Sequence, residues 1–237
     1  MQIWKGILHR TGIASVDWSL AIAGLAMLSI ATAAAIKLGL GSADAASAWR
    51  LSGLPVLDLG DRLISAEDFE RGAPGWQGGR IDDSAAGFGG ILGRFGGETV
   101  SKTYALDVGH SHTIITFDLH AIDDWALEEV IIYANGRAIA RQSFSTRPEL
   151  AAAQSLVLEG VRDVHIDITM QPETHGERGF ASGGAANEDQ SVQVRLIAET
   201  TGETFRLGIG STLSGDIAGA SWAIDNLRVI ATDLPPP

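Results

Sequence analysis

The chain has 237 residues, a formal charge of −12 and no cysteine. The missing cysteine excludes disulfides, thiolate metal centres and a thiol nucleophile. The acidic balance excludes a nucleic-acid binder, whose surface must be basic to meet phosphate.

In chain order, residues 1–12 form a basic leader with Lys5 and Arg10 and no acid. Residues 13–40 follow as a predicted transmembrane helix. From Trp18 to Ile36 nineteen residues pass without a charge, close to the length that crosses a hydrocarbon core of about 30 Å. Only Ser19, Ser29 and Thr32 interrupt the run, so no polar face emerges and a buried core helix is disfavoured. The basic leader predicts a cytoplasmic N-terminus and an exported remainder, with Lys37 snorkelling to the interface. The expected location is a bacterial inner membrane, single-pass, with the C-terminal domain periplasmic or extracellular. Ala43-Asp44-Ala45 and Ala46-Ser47-Ala48 both fit a small-x-small cleavage pattern. The apolar run is nevertheless longer than the roughly 7–15 residues of a secretory signal core, so a retained anchor is expected. Ala21, Gly24, Ala31 and Ala35 fall near one helix face, where small side chains permit close packing on other protein subunits.

Gly12 is followed by Ile13-Ala14-Ser15-Val16-Asp17-Trp18 and then the apolar run. This resembles the class III prepilin signal of Flp-type pilins, in which a glycine ends a basic leader and an acid–aromatic pair follows. The resemblance implies cleavage after Gly12 and a carboxylate, Asp17, that registers one subunit against its neighbour's new N-terminus. An unpaired carboxylate in lipid is costly, so Asp17 calls for a partner; the alternative is a place at the headgroup boundary. Asp17, Trp18 and Gly24 are the candidate assembly residues. Trp4, Trp18 and Trp49 suit bilayer interfaces.

Residues 41–62 read as a tether and 63–232 as one exported domain. Apolar residues there alternate or form short runs divided by turn residues, which is the strand signal. Strands are predicted at 99–106, 113–119, 128–134, 137–144, 154–158, 163–170, 191–199, 204–210 and 221–231. Asn135-Gly136 predicts a two-residue hairpin, because a type I′ turn needs positive φ at both central positions; Thr201-Gly202 is a second, weaker hairpin signal. A short helix is predicted at 147–153, and exposed loops at 72–97, dense in glycine, and 171–190. Residues 233–237, ending in three prolines, read as a disordered tail. The fold class expected is all-β, an antiparallel jelly-roll-like sandwich preceded by one transmembrane helix.

Five segments occur in a telling order: AEDFERGAPGW at 66–76, GILGRFGGETVSKTYAL at 90–106, ITFDLHAIDDW at 115–125, VIIYANGRAI at 130–139 and ASWAIDNLRV at 220–229. Together they resemble a family of bacterial exported jelly-roll domains similar in plan to lectin-like and carbohydrate-binding sandwiches. Phe69-Glu70 matches that family's first-strand pair, and Ser221-Trp222-Ala223-Ile224-Asp225-Asn226 its last-strand Ser-Trp-Gly-Ile-Asp-Asn. The middle motif departs, with Asp123-Asp124-Trp125-Ala126-Leu127-Glu128 where the family has Asp-Ser-Trp-Asp-Gly-Glu.

Acids gather at the same places: Glu67, Asp68 and Glu70, then Asp118, Asp123 and Asp124, then Asp225. First and last strands of a jelly roll are commonly neighbours, so Glu70 and Asp225 could meet. With Asp68 and Asp123 they form a candidate structural Ca²⁺ site, since Ca²⁺ takes six to eight oxygen donors; the alternative is a solvated acidic rim. His110, His112 and His120 lack any zinc-protease spacing and read as surface histidines. No nucleophile elbow is present, and a carboxylate pair alone does not define a glycosidase. Trp125 and Trp222 are expected in the core. The expectation is a non-enzymatic envelope protein, its sandwich an interaction subunit of a membrane complex or pilus-like assembly. A tethered lectin-like module that binds a glycan is the alternative.

Overall fold

The computed structural model describes residues 61–84, 87–160, 164–168, 173–176 and 188–233. Asp17, Trp18 and Gly24, with the leader, the apolar segment and all but the last residues of the tether, lie outside the described residues.

The described chain contains thirteen strands and no α-helix. They are β1 Arg62–Glu67, β2 Ile81–Asp82, β3 Ile91–Phe95, β4 Val100–Ala105, β5 His112–Asp123, β6 Ala126–Ala134 and β7 Arg137–Ser145. Then come β8 Leu156–Leu158, β9 Val164–Ile168, β10 Glu173–Gly176, β11 Glu188–Glu199, β12 Thr204–Ser211 and β13 Ala220–Thr232. One sheet runs β10-β11-β5-β13-β3-β2, with β9 also on β11 and β1 also on β13; the other runs β4-β12-β6-β7-β8. Every pairing is antiparallel. The sheets face each other across a single core. Ile115, Phe117 and Leu119 of β5 and Val194 of β11 meet Ile132, Phe205 and Leu207 of the smaller sheet there. Such interleaved apolar faces are the main favourable term in a sandwich of this size.

The nine predicted strands correspond to β4 through β9, β11, β12 and β13. β5 carries no simple alternation because both its faces are covered. On the side away from the core, Ile114 packs with Ile197 and Ile230, and Ile122 with Phe88, Ile91 and Ala223. Trp125 and Trp222 are fully buried, as expected. Their ring N–H groups are satisfied, Trp125 Nε1 donating to the carbonyls of Ile122 (3.1 Å) and Ser221 (3.0 Å) and Trp222 Nε1 to that of Gly96 (2.8 Å).

Four expectations are corrected. The 72–97 segment is not a plain loop, because it contains β2 and the buried strand β3. Its glycine at 93 marks close approach rather than a turn. A Cβ there would lie 2.5 Å from the Ala223 Cβ, so the missing side chain lets β3 lie on β13. The 171–190 segment contributes β10 and the start of β11, paired from Glu173↔Ser191 to Gly176↔Glu188. This pairing is tertiary and left no local apolar alternation to read. The predicted helix at 147–153 is a single 3-10 turn, Ala151–Ala153, with no side-chain cap and no buried residue. With no buried residue on it, the turn has no packed face to sustain a longer helix. Thr201-Gly202 does not close a hairpin: β11 lies in one sheet and β12 in the other, so the turn carries the chain across the core.

Candidate functional site

A polar arrangement that joins two strands lies on the larger sheet, on the face turned from the core. β13 stays in register with β5 from Ala220↔Asp123 to Asp225↔Asp118, then slips before Arg228↔Thr116. The slip puts Asn226 at φ 54°, a left-handed conformation that asparagine accepts more readily than most residues. Its backbone N–H donates to Asp225 Oδ1 (2.7 Å). Its amide Nδ2 donates to Asp118 Oδ2 (2.7 Å) and Asp225 Oδ2 (3.2 Å). Two carboxylates from neighbouring strands, each about 3% exposed, thus share one amide. An amide NH₂ has two protons to give, so Asn226 stitches β5 to β13 through side chains where the bulge interrupts the backbone ladder.

Beside the stitch a small open cleft of about 100 Å³ is lined by Ala66, Glu67 and Asp68 on one side and Asn226, Leu227 and Arg228 on the other. It exists because β1 runs along β13, with Ala66↔Arg228 and Glu67↔Leu227 in register. The expected neighbourhood of first and last strands is therefore present. Glu67 is committed inward. Its carboxylate accepts from Ser65 Oγ (2.8 Å), Trp76 Nε1 (2.8 Å) and Lys102 Nζ (3.0 Å). Burial and the adjacent Glu67 charge push the Tyr104 hydroxyl well above the usual tyrosine range.

The residues proposed for calcium are distributed among separate partners. Phe69, at φ 55°, turns the chain after β1. Glu70 Oε1 accepts the Gly90 N–H (3.0 Å), and Asp68 Oδ1 the Glu70 N–H (3.3 Å). Asp225 belongs to the Asn226 stitch. Asp123, at the end of β5, has its N–H on Asp189 Oδ1 (3.1 Å) and its carboxylate 3.9 Å from Arg94. Asp124 is held by Arg147 through two parallel bonds, 3.0 and 2.9 Å. Among the described residues no group of three or more histidine, aspartate or glutamate side chains is placed to hold a metal ion.

His120 corrects another expectation. It is about 2% exposed rather than on the surface. Its Nδ1 bonds Ser191 Oγ (2.7 Å) and its ring packs edge-on against Phe88. Alternation along β5 turns it away from the main core, but the loop before β3 covers that face. His110 lies 3.4 Å from Asp107, and His112 bonds Ser111 Oγ (2.8 Å). Asp118 was legible only as one of several acids, and Asn226 as a motif position. Their pairing required the register of β5 on β13.

Two surface properties bear on binding. Every tryptophan and phenylalanine among the described side chains is buried, and the tyrosines are buried or half-buried. Among these described rings only Tyr133, half-buried on the outward side of β6 beside Gly208, is partly open to solvent. At the margin of the smaller sheet, β8 pairs among the described strands with β7 alone. Val157 and Leu158 are 47% and 52% exposed, two of only four large apolar residues so exposed among the described ones.

No family model matches the chain, and no curated protein sequence does. A solved structure found in comparison is the EclA C-terminal domain, described as a sugar-binding protein. It shows 13% identity and a TM-score of 0.30 over 75% of this chain and 83% of that one. At that level of superposition the neighbour's sugar binding does not transfer to this chain.

Proposed function

We propose that this chain is a non-enzymatic interaction subunit, anchored in a bacterial inner membrane by the apolar segment at 13–40 and presenting an exported β-sandwich to partner proteins. The observation that carries this reading is the margin at β8. Among the described residues, this edge strand with exposed Val157 and Leu158 offers unpaired backbone groups and apolar surface together. Folded proteins normally blunt such edges with lysine, proline or bulges. Glu67, Asp118 and His120 support the same reading, because their bonds join one strand to another. Mild-detergent extraction of the full chain tests it. A subunit leaves the membrane in a species of defined stoichiometry larger than one chain, and a lone monomer overturns the reading.

A second reading, a tethered carbohydrate-binding module, is favoured by one feature. In the cleft between Asp68 and Asn226, acceptors and donors of the kind that bond hydroxyl groups stand beside Arg228. Retention of the chain on a glycan array, lost in Asn226→Ala, would support it. The cleft itself contains no aromatic ring to stack on a sugar, which ranks it second.

A further inference from the structure

We propose that β8 is the seam at which a second copy of this chain docks, the two strands pairing antiparallel about a two-fold axis through Val157. The proposal rests on the interaction-subunit reading and names the partner.

The backbone fixes which groups are available. The Ser143 N–H donates to the Ser155 carbonyl (2.9 Å) and the Glu159 N–H to that of Ile139 (2.9 Å), while Arg141 stands opposite Val157. In an antiparallel pair alternate residues turn both backbone groups to the same neighbour. Residues 155, 157 and 159 therefore face β7, and Leu156 and Leu158 point N–H and C=O outward. A strand laid along this edge finds two donors and two acceptors in the spacing of one antiparallel rung set.

Register selects a second copy. With Val157 opposite Val157 of the partner subunit, Leu156 of each chain exchanges two hydrogen bonds with Leu158 of the other. Apolar residues then meet apolar residues, and Glu159 faces a serine. A slip of one rung in one direction sets Val157 against a glutamate, and in the other against a serine. Side-chain pattern thus specifies the symmetric register, and an isologous contact is the commonest way for a chain to pair with itself. Charge points the same way. The molecule carries −12, so two copies repel over most of their surface. From Leu150 through Leu158 there is no charged side chain, which makes this margin a place of close approach without like charges meeting. The contact is small. Tethering both copies to one bilayer would raise their effective concentration enough for a short ladder to matter.

The absence of cysteine makes a direct test simple. In full-length Val157→Cys, expressed in membranes and treated with a mild oxidant, the two thiols sit at a non-hydrogen-bonded pair whose Cα separation, about 4.5 Å, suits a disulfide. The expected result is a disulfide-linked dimer of the chain, with Val108→Cys, an exposed site elsewhere, staying monomeric. Val157→Lys places like charges opposite each other and should reduce the full chain in detergent from dimer to monomer mass. Co-expression with Val157→Glu should restore the pairing. A Val157→Cys adduct with a different polypeptide overturns the self-pairing but keeps the interaction-subunit reading. A Val157→Cys chain that stays monomeric with its thiol open to alkylation overturns both. Equal cross-linking at 108 and 157 marks collision and also overturns the proposal.

Discussion

Glu67 shows how much a single side chain holds in this domain. It joins the end of β1 to the indole N–H of the buried Trp76 and to Lys102 on the other sheet. Removing it leaves the Trp76 N–H without its acceptor and Lys102, which keeps only the Pro74 carbonyl (2.8 Å), without its counter-charge. Glu67→Ala is therefore expected to cost about 3 kcal/mol, read as a lower urea midpoint. Glu67→Gln, which keeps an acceptor oxygen, should cost clearly less. Asn226 poses the complementary case. Asn226→Asp would put a third carboxylate where an amide now donates to Asp118 and Asp225. Like charges at that spacing disfavour ionisation. The variant should be markedly less stable than the parent at neutral pH, and the gap should narrow as acid protonates the cluster. A gap that does not change with pH would trace the loss to the missing amide hydrogen bonds rather than to repulsion between carboxylates. None of this network was legible beforehand, because Asp118 and Asn226 are 108 residues apart and meet only through strand order.

At the scale of elements the reading depended on whether the signal was local. The β6–β7 hairpin was readable because its turn needs a particular dipeptide. Asn135 and Gly136 sit at φ 50° and 83°, and Asn135 Oδ1 also accepts the Arg206 N–H of β12 (2.9 Å). Gly136→Ala should lower stability by about 1–2 kcal/mol with an unchanged denaturant slope, since strain at one turn does not alter the surface exposed on unfolding. β3 was unreadable for the opposite reason. A glycine that permits contact with Ala223 looks, in sequence, like a glycine that permits a turn. Thr201-Gly202 misled similarly: turn residues announce a reversal without saying whether the next strand returns to the same sheet.

For the whole molecule, acid is the informative variable. Burial pushes the Asp82 carboxyl upward, but the Ser84 hydroxyl and N–H and the Arg94 charge outweigh it and hold it below the ordinary range. Glu98 behaves alike, burial being outweighed by backbone N–H donors, its own and that of Gly96, and by Arg80. At the surface, Asp107 is lowered by the Gly109 N–H and by Arg62. Each of these groups titrates lower in the folded chain than in the unfolded one, so between the two values the unfolded state binds more protons. Stability then rises with pH through that window. Their contribution is complete above about pH 5 and drains away as the solution falls below about pH 4. A melting temperature that is level from neutrality to mild acid and then drops steeply is the expected profile.

The pairing of β1 with β13 has a mechanical consequence. Arg62 lies opposite Ala231, so the chain enters the domain and leaves its last strand at the same end of one antiparallel ladder. A pull exerted between those two points meets the rungs one after another, as a zipper does, rather than all together in shear. β1 should peel away at low force and expose the flank of β13, while the remainder of the sandwich still holds. A load transmitted instead between the entry point and the far margin at β8 must cross both sheets and would be borne by many rungs at once.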